Sequence, residues 1–246
     1  MTADVVISDV AIAKFVAKPV QFPLRSIAGS AVAEYQQRWI ELLRSHRVIA
    51  VIRAETVEAG VNMAVAAAAG GIHLLEITWN SYQPVALLQA VQRQLPHCTV
   101  GVGTLFTEED LGIAIATGAQ FCFSPHTSPA LMRHSQTVHV PMVPGAMTPT
   151  EIITAVQAGA ATVKLFPIKT LGGAAYIRCL QGPMGRIPMI PSGGVILENT
   201  AALLRAGAIA VGVSSGLFAP QDVSSQSWSH IEARAAQFVA AGRSAT

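Results

Sequence analysis

Charge is the scarcest property of this sequence. Only 12% of its 246 residues are Asp, Glu, Lys or Arg, whereas globular proteins average about 25%. The net charge is +2, and no run of Lys and Arg occurs, so the charge pattern of nucleic-acid-binding proteins is missing. We therefore expect no nucleic-acid partner. Because 51% of the residues are hydrophobic, we also expect a large apolar core.

Cysteine is scarce as well. The three cysteines are far apart in the sequence, at Cys98, Cys122 and Cys179. None belongs to a Cys-x-x-Cys pair or to a His/Cys group with the sequence spacing of a metal site. An odd, dispersed set is typical of buried thiols in a reducing compartment. We therefore expect no metal site and a cytoplasmic location.

Long hydrophobic runs are also missing. The Ala-rich stretch 61–78 is interrupted by Gly70, Gly71 and Glu76, so no span of about 20 apolar residues remains. The first residues lack the basic region and apolar region of a signal peptide. Although the mean hydropathy is positive, we expect no membrane association.

Eight short apolar runs alternate with helical segments along most of the chain. Such runs are typical of strands covered on both faces, and strict alternation predicts parallel β/α units. Four glycines, placed as helix C-caps, recur at intervals that each fit two such units. Eight units in one chain predict an α/β fold of the closed (β/α)8 TIM barrel type, with an open doubly wound sheet as the alternative. The predicted strands lie at 48–53, 72–78, 99–104, 121–125, 140–145, 162–167, 187–194 and 210–216, and the glycines are Gly70, Gly118, Gly159 and Gly207.

The region before the first predicted strand divides in two. Residues 30–47 place Tyr35 and Trp39 at helical spacing, which predicts an N-terminal helix. Residues 1–29 show no clear period, and we interpret them as an N-terminal arm with little predicted order. We assign residues 30–246 to a single (β/α)8 domain.

One lysine stands in an apolar strand, in the segment "ATVKLFPIKT". Lys164 is one of only four lysines in the chain, and burying an unpaired ammonium is costly. It either snorkels or pairs with a carboxylate, or it acts as a Schiff-base nucleophile. An apolar surround from Val163, Leu165 and Phe166 would favour the second role, because it disfavours the charged amine.

Further polar residues end the other predicted strands. Glu76 is either a structural ion-pair partner of Lys164 or Arg53, or a general acid/base with a pKa raised by burial. Arg53 can neutralise Glu76, or its planar fork can bind a substrate carboxylate. Thr104, after two glycines of the third strand, can add a hydrogen bond to that carboxylate or to a hydroxyl.

Small residues follow the last two strands, where barrel enzymes commonly bind phosphate. Gly193 and Gly194 follow the seventh strand, and Ser214 and Ser215 follow the eighth. Exposed backbone N–H groups in such loops attract anions. The alternative is two ordinary tight loops. The histidines are interpreted mostly as surface or structural residues, although His126 lies on the predicted rim.

The ordered runs "VIAVIR", "LLEIT", "VGVGT", "VPG", "VKLFP" and "PSGG" resemble the 2-keto-3-deoxy-6-phosphogluconate (KDPG) / 4-hydroxy-2-oxoglutarate (KHG) aldolase family, over about residues 34–220. These are class I aldolases on a (β/α)8 barrel. The resemblance implies a homotrimer with neither metal nor cofactor. It assigns the Schiff base to Lys164, acid/base catalysis to Glu76, the substrate carboxylate to Arg53 and Thr104, pocket walls to Pro144 and Phe166, and phosphate binding to Gly193, Gly194 and Ser215.

One departure from the family pattern concerns the sugar. Many gluconate-type members have "LRT" after the acidic strand, where this chain has Trp79-Asn80-Ser81. Asn80 resembles the galactonate-type branch, in which "LNS" occurs, and is assigned to substrate binding.

The expected activity is cleavage of a small 2-keto-3-deoxy-6-phospho sugar acid, of the gluconate or galactonate type, to pyruvate and glyceraldehyde 3-phosphate. 4-Hydroxy-2-oxoglutarate is a further expected substrate. The alternatives are a non-catalytic phosphosugar-binding barrel and a phosphosugar epimerase.

Overall fold

The computed structural model describes residues 31–185 and 187–245, so the predicted arm at residues 1–29 lies outside the described residues. A first helix precedes an alternation of strands and helices, as predicted. The strands are β1 (Val48–Ile52), β2 (Leu74–Thr78), β3 (Thr99–Gly103), β4 (Cys122–Phe123), β5 (Met142–Val143), β6 (Gly145–Ala146), β7 (Val163–Leu165), β8 (Met189–Pro191) and β9 (Val211–Val213). The helices are α1 (Ala31–His46), α2 (Val57–Ala69), α3 (Pro84–Gln94), α4 (Glu108–Ala116), α5 (Pro129–Thr137), α6 (Pro149–Gln157), α7 (Ala174–Met184), α8 (Leu197–Arg205), α9 (Pro220–Ser224) and α10 (Trp228–Arg243).

The strands pair in parallel around one axis. Six of them form a sheet in the order β5-β4-β3-β2-β1-β9, and three form a second sheet in the order β6-β7-β8. Only Pro144, which has no N–H to donate, separates β5 from β6. On the other side, a bridge between Ser192 and Gly212 joins the end of β8 to β9. The predicted (β/α)8 barrel is therefore confirmed, with β5 and β6 as one interrupted strand.

Helix α1 packs across the N-terminal end of the barrel. Its Trp39 and Leu43 join a buried cluster of residues at or near the starts of several strands, including Ile49, Leu74 and Phe121. The Trp39 ring lies 5.0 Å from the Phe121 ring, centroid to centroid. The predicted N-terminal helix thus closes the bottom of the barrel, opposite the end where barrel active sites lie.

The helix ends follow from local sequence. Thr56, Thr107 and Thr148 each accept a backbone hydrogen bond from the first helical turn that follows, which satisfies an otherwise unpaired N–H. The predicted glycines lie at helix C-termini, but three of them, Gly118, Gly159 and Gly207, stand one residue past the C-cap at positive φ. Gly70 is the C-cap of α2 itself, and Gly71 takes the positive φ there.

The cysteine prediction needs one correction. Cys98 and Cys122 are buried, as expected, but Cys179 is exposed. Helix α7 turns Ile177, Leu180 and Met184 toward the core, which leaves Cys179 on its outer side. In the part of the chain that the structure describes, no helix has the length and apolar character needed to cross a membrane.

Replacing Trp39 should destabilise the whole barrel. Trp39 is 2% exposed, and its Nε1 donates a buried hydrogen bond of 3.0 Å to Thr162 Oγ1. We expect Trp39→Ala to lower the free energy of unfolding in urea by about 3–5 kcal/mol, since it opens a cavity and leaves a buried hydroxyl without its partner. Arg38→Ala, on the exposed face of the same helix, is the control and should change it by less than about 0.5 kcal/mol. Equal losses in the two variants would contradict the role given to Trp39.

Candidate active site

Lys164 and Glu76 meet inside the barrel. Lys164 lies on β7 and Glu76 on β2, and their side chains are 8% and 1% exposed. Lys164 Nζ lies 3.9 Å from Glu76 Oε1, which is close enough for a strong charge interaction but too long for a hydrogen bond. The structure therefore brings together the two residues that the sequence singles out for chemistry.

Glu76 fits only because β3 has glycine beside it. A Cβ atom at Gly103 would stand 1.8 Å from Glu76 Oε1, so any other residue there would displace the carboxylate. Among the described residues, Oε1 has no hydrogen-bond partner. Burial raises the pKa of the Glu76 carboxyl, while the positive charges of Lys164 and Arg53 oppose the rise. The site thus favours a carboxyl that can hold a proton.

Two aromatic rings face the Lys164 amine. The centroids of Phe123 and Phe166 lie 5.5 and 5.4 Å from Nζ. Val163 and Leu165, expected to surround Lys164, instead point outward into the core between strands and helices, because successive side chains of a strand alternate. Phe123 is the residue that the sequence reading missed. The alternation within "FCFSP" was the available signal, since it turns Phe121 and Phe123 to the same face as Trp39.

Pro144 and Phe166 contribute to the walls in different ways. Pro144 is buried between β5 and β6, and its carbonyl accepts the Lys164 backbone N–H at 2.9 Å. Phe166 directly follows β7, and its ring is 40% exposed at the rim. Pro144 therefore fixes the backbone of Lys164, whereas Phe166 presents an apolar face to a ligand that enters this end of the barrel.

Thr104 has an unusual backbone at the end of β3. Its φ is +63°, which a β-branched residue adopts only at a cost of about 1–3 kcal/mol. The next residue, Leu105, donates its N–H to Phe123, which helps to hold the conformation. Backbone strain held at a strand end is typical of functional sites.

Arg53, the other predicted carboxylate ligand, is exposed at the end of β1.

Asn80 lies exposed on a tightly held turn after β2. The N–H of Ser81 bonds to the Thr78 carbonyl at 2.9 Å, and their hydroxyls lie 3.1 Å apart. The Ser81 hydroxyl also accepts the N–H of Ala54 from the loop after β1. The neighbouring Trp79 is turned away, since its indole donates to Asp110 on α4. These hydrogen bonds therefore hold the backbone of the turn in place, with the Asn80 side chain exposed at the rim.

The two predicted phosphate loops contact each other. Gly193 and Gly194 have φ of +82° and +83°, a conformation that favours glycine. A Cβ at Gly216 would lie 2.3 Å from the Val195 carbonyl, so the loop after β9 packs directly on the loop after β8. Ser214 and Ser215 are exposed beside this contact. The structure thus brings the four predicted residues to one part of the rim.

Lys169 lies beside these loops. It is exposed, but its side-chain stem runs along Gly194. A Cβ at Gly194 would lie 2.4 Å from that of Lys169. The backbone N–H of Lys169 also donates to the Gly193 carbonyl at 3.1 Å. The pairing of the loops after β7 and β8 brings this cation beside the glycines, and no sequence spacing signals it.

His126 is the rim histidine. Its ring stacks on Phe106 at 5.7 Å between centroids, and its buried Nδ1 has no hydrogen-bond partner among the described residues. Ser124 and Gly145 both donate to its backbone carbonyl, which anchors the loop after β4.

Together these features define an enzyme of the barrel type with a buried lysine and carboxylate at the C-terminal ends of its strands. A family model described as "KDPG and KHG aldolase" matches residues 40–234. The chain therefore belongs to the KDPG and KHG aldolase family and is an aldolase, a lyase.

Curated relatives agree with this assignment. The 2-dehydro-3-deoxy-phosphogluconate aldolase of Treponema pallidum is 36% identical over 161 residues, which cover 65% of this chain and 77% of the relative. The KHG/KDPG aldolase of Escherichia coli K12 is 30% identical, with 64% and 74% of the two chains covered.

Solved structures share the fold. KDPG aldolase from Legionella pneumophila, with pyruvate captured at low pH as a covalent carbinolamine intermediate, has a TM-score of 0.75 and 26% identity, covering 80% of this chain and 96% of that one. A native KDPGal structure has a TM-score of 0.73 and 29% identity, covering 80% and 95%.

The raised pKa of Glu76 can be tested by infrared spectroscopy. We expect a protonated-carboxyl band to persist above the ordinary glutamate pKa of about 4.3, and to disappear in Glu76→Gln. Because burial raises the folded-state pKa, the contribution of Glu76 to stability is largest below that ordinary value and falls as the pH rises through the raised one.

Glu151→Gln is the matched control for this measurement. The backbone N–H groups of Met147 and Thr148 bond to the Glu151 carboxylate and lower its pKa, the opposite direction. The band should therefore survive this substitution. A band that survives Glu76→Gln instead would show that another carboxyl carries it.

Proposed function

We propose that this chain cleaves a 2-keto-3-deoxy-6-phospho sugar acid to pyruvate and glyceraldehyde 3-phosphate through a Schiff base on Lys164. The observation that carries the proposal is the buried contact of 3.9 Å between Lys164 Nζ and Glu76 Oε1. The Legionella relative, with its covalent pyruvate carbinolamine, supports the same chemistry.

Lys164 acts first. Its neutral amine attacks the keto carbon to give a carbinolamine, which loses water to form a protonated imine. Glu76 supplies the proton that leaves with the hydroxide. The phenyl rings of Phe123 and Phe166 support this step, since they lie beside the amine and limit the access of water to the imine.

Glu76 then acts as a base. It takes the proton from the C4 hydroxyl, directly or through a water, while the C3–C4 bond breaks and its electron pair moves to the imine to form an enamine. Glyceraldehyde 3-phosphate leaves. Protonation of the enamine at C3 and hydrolysis of the imine release pyruvate and regenerate Lys164. A carboxyl with a raised pKa suits proton transfer in both directions.

The rim residues would orient the substrate. We assign the carboxylate next to the keto carbon to Arg53 and Thr104, and the walls to Pro144 and Phe166. The phosphate lies on the backbone N–H groups of the two contacting loops, at Gly193, Gly194, Ser214 and Ser215, with Lys169 beside them. The strain at Thr104 and the positive φ of the two glycines support these assignments.

We assign the galactonate-type sugar acid as the preferred substrate, with the gluconate type and 4-hydroxy-2-oxoglutarate as further ones. Asn80 carries the choice, because it resembles the galactonate-type branch at this position and is exposed on a turn that fixes its backbone. We also propose that the chain assembles as a homotrimer. In support, a structural neighbour with 29% identity is a cage designed by fusing symmetric oligomeric domains.

Reduction with borohydride in the presence of pyruvate tests the Schiff base. We expect the peptide that contains Lys164 to gain the mass of one reduced pyruvate, and Lys164→Ala to abolish both the label and aldolase activity. Lys169→Ala is the matched control because it changes the other lysine of the same segment. In this variant, Lys164 should still gain the label. A non-catalytic sugar-binding barrel or an epimerase would leave the wild-type peptide unlabelled.

Asn80→Arg tests the sugar preference. Pyruvate release from the 6-phosphogalactonate and 6-phosphogluconate forms of the substrate is compared in a coupled lactate dehydrogenase assay. We expect the ratio of kcat/KM values to move about tenfold toward the gluconate type, since one charge-assisted hydrogen bond is worth about 1.5–3 kcal/mol. Gln83→Arg adds the same charge nearby and should leave the ratio unchanged. An unchanged ratio in Asn80→Arg would remove Asn80 from substrate recognition.

A further inference from the structure

A second cluster of ligating side chains lies at the opposite end of the barrel. One ligand atom each from His73, His97 and Cys98 lies within 4.8 Å of the others, and Cys98 Sγ is 3.9 Å from His73 Nδ1. Within residues 31–185 and 187–245, this is the one group of three or more His, Cys, Asp or Glu residues with such spacing. The ring of His46 lies outside this group but stands edge-on to His73, with centroids 5.5 Å apart, so that its imidazole is near enough to turn toward the other three.

The fold places all four residues at the N-terminal ends of strands. His46 ends α1 just before β1, His73 immediately precedes β2, and Cys98 immediately precedes β3. The strand pairing brings two of them together, since Thr99 donates its N–H to the His73 carbonyl at 2.9 Å. Glu76 is three residues further along β2, about 10 Å away at the usual rise of a strand. The cluster is therefore separate from the aldolase site.

We propose that His46, His73, His97 and Cys98 bind one zinc ion, which fastens the end of α1 to the base of the barrel. Three imidazoles and one thiolate form a donor set that suits tetrahedral zinc. Zinc–nitrogen and zinc–sulfur bonds of about 2.0–2.3 Å place tetrahedral ligand atoms about 3.3–3.8 Å apart. Cys98 Sγ and His73 Nδ1 are close to this at 3.9 Å, so the imidazoles of His46 and His97 are the ones that have to turn inward. The exposed side chain of His97 is free to turn toward the others to achieve this.

Binding is coupled to loss of a proton. The Cys98 thiol releases its proton to solvent as its sulfur bonds the metal, while the imidazoles bind as neutral rings. A cation also suits the C-terminus of α1, where unpaired carbonyls give a partial negative charge.

The consequence for the fold follows from the position of α1. This helix closes the barrel through Trp39 and Leu43, and its last turn contains His46. A metal shared between His46 and the loops before β2 and β3 would link the helix to two strands at once. Since a ligand that binds only the folded chain stabilises it, zinc should raise the unfolding temperature.

Cobalt(II) provides a direct spectroscopic test. The full chain, without a histidine tag, is stripped of metal with a chelator, kept reduced and titrated with cobalt(II). We expect one cobalt per chain, a thiolate-to-cobalt charge-transfer band, and loss of that band when zinc is added. Cys179→Ser removes the exposed thiol and should leave the band unchanged, whereas Cys98→Ser should abolish it.

The histidines are tested in the same titration. His46→Ala, His73→Ala and His97→Ala should each weaken cobalt binding about tenfold or more, the loss typical of removing even an indirect partner of a metal. His134→Ala lies outside the cluster and should not affect binding. Because His97 is exposed, its replacement leaves the core intact, which circular dichroism would verify.

Thermal unfolding with and without zinc completes the test. Zinc should raise the midpoint of the wild type but not that of His97→Ala. The proposal is overturned if no charge-transfer band forms, if the band persists in Cys98→Ser, or if zinc raises both midpoints equally. None of these outcomes depends on aldolase activity, so the proposal stands or falls separately from the proposed reaction.

Discussion

The buried contact between Lys164 and Glu76 constrains which residues can surround it in the barrel. Burying either charge costs free energy, and removing one partner would leave the other uncompensated in an apolar interior. The chain accommodates the pair with specific neighbours, namely glycine at position 103, aromatic rings at Phe123 and Phe166, and the carbonyl of Pro144 on the lysine backbone.

The two ends of the barrel divide stability and function between them. At the N-terminal end, Trp39 and Leu43 pack into an apolar cluster with Phe121, and polar atoms such as those of Thr162 find partners. At the C-terminal end, Thr104 holds a strained backbone and Glu76 Oε1 has no hydrogen-bond partner among the described residues. The packing at the bottom offsets the unfavourable features at the top, which is a common division in enzymes of this fold.

Most of the fold was predictable, and the reason is local. Continuous apolar runs and their alternation with helical segments identify strands without knowledge of any contact, and all eight predicted runs contain strands. The predicted surroundings of Lys164 are partly wrong, because residues adjacent in sequence along a strand do not face the same side. In a strand, Val163 and Leu165 face away from Lys164, and the residues that face it, such as Phe123, come from other strands.

Sequence spacing does not predict the register between strands or the contacts between loops. His73 and Cys98 are separated by the whole of β2 and α3, and they meet only because β2 pairs with β3 in the register that joins Leu74 to Thr99. Lys169 reaches Gly194 for a similar reason, through the pairing of β7 with β8. Motif spacing detects ligands on one helix or hairpin, whereas in a parallel barrel the ligands come from successive units and their spacing varies with helix length.

The turn at Asn80 combines a fixed backbone with an exposed side chain. Thr78 and Ser81 hold the turn through backbone and hydroxyl contacts that do not involve the Asn80 side chain, and Ser81 ties it to the loop after β1. An exposed side chain on a fixed backbone can be replaced with little effect on packing. The buried pair to which we assign the chemistry lacks this freedom, since even a Cβ at position 103 would displace the Glu76 carboxylate. Under the proposed function, specificity is therefore free to vary at Asn80 while the reaction at Lys164 stays the same.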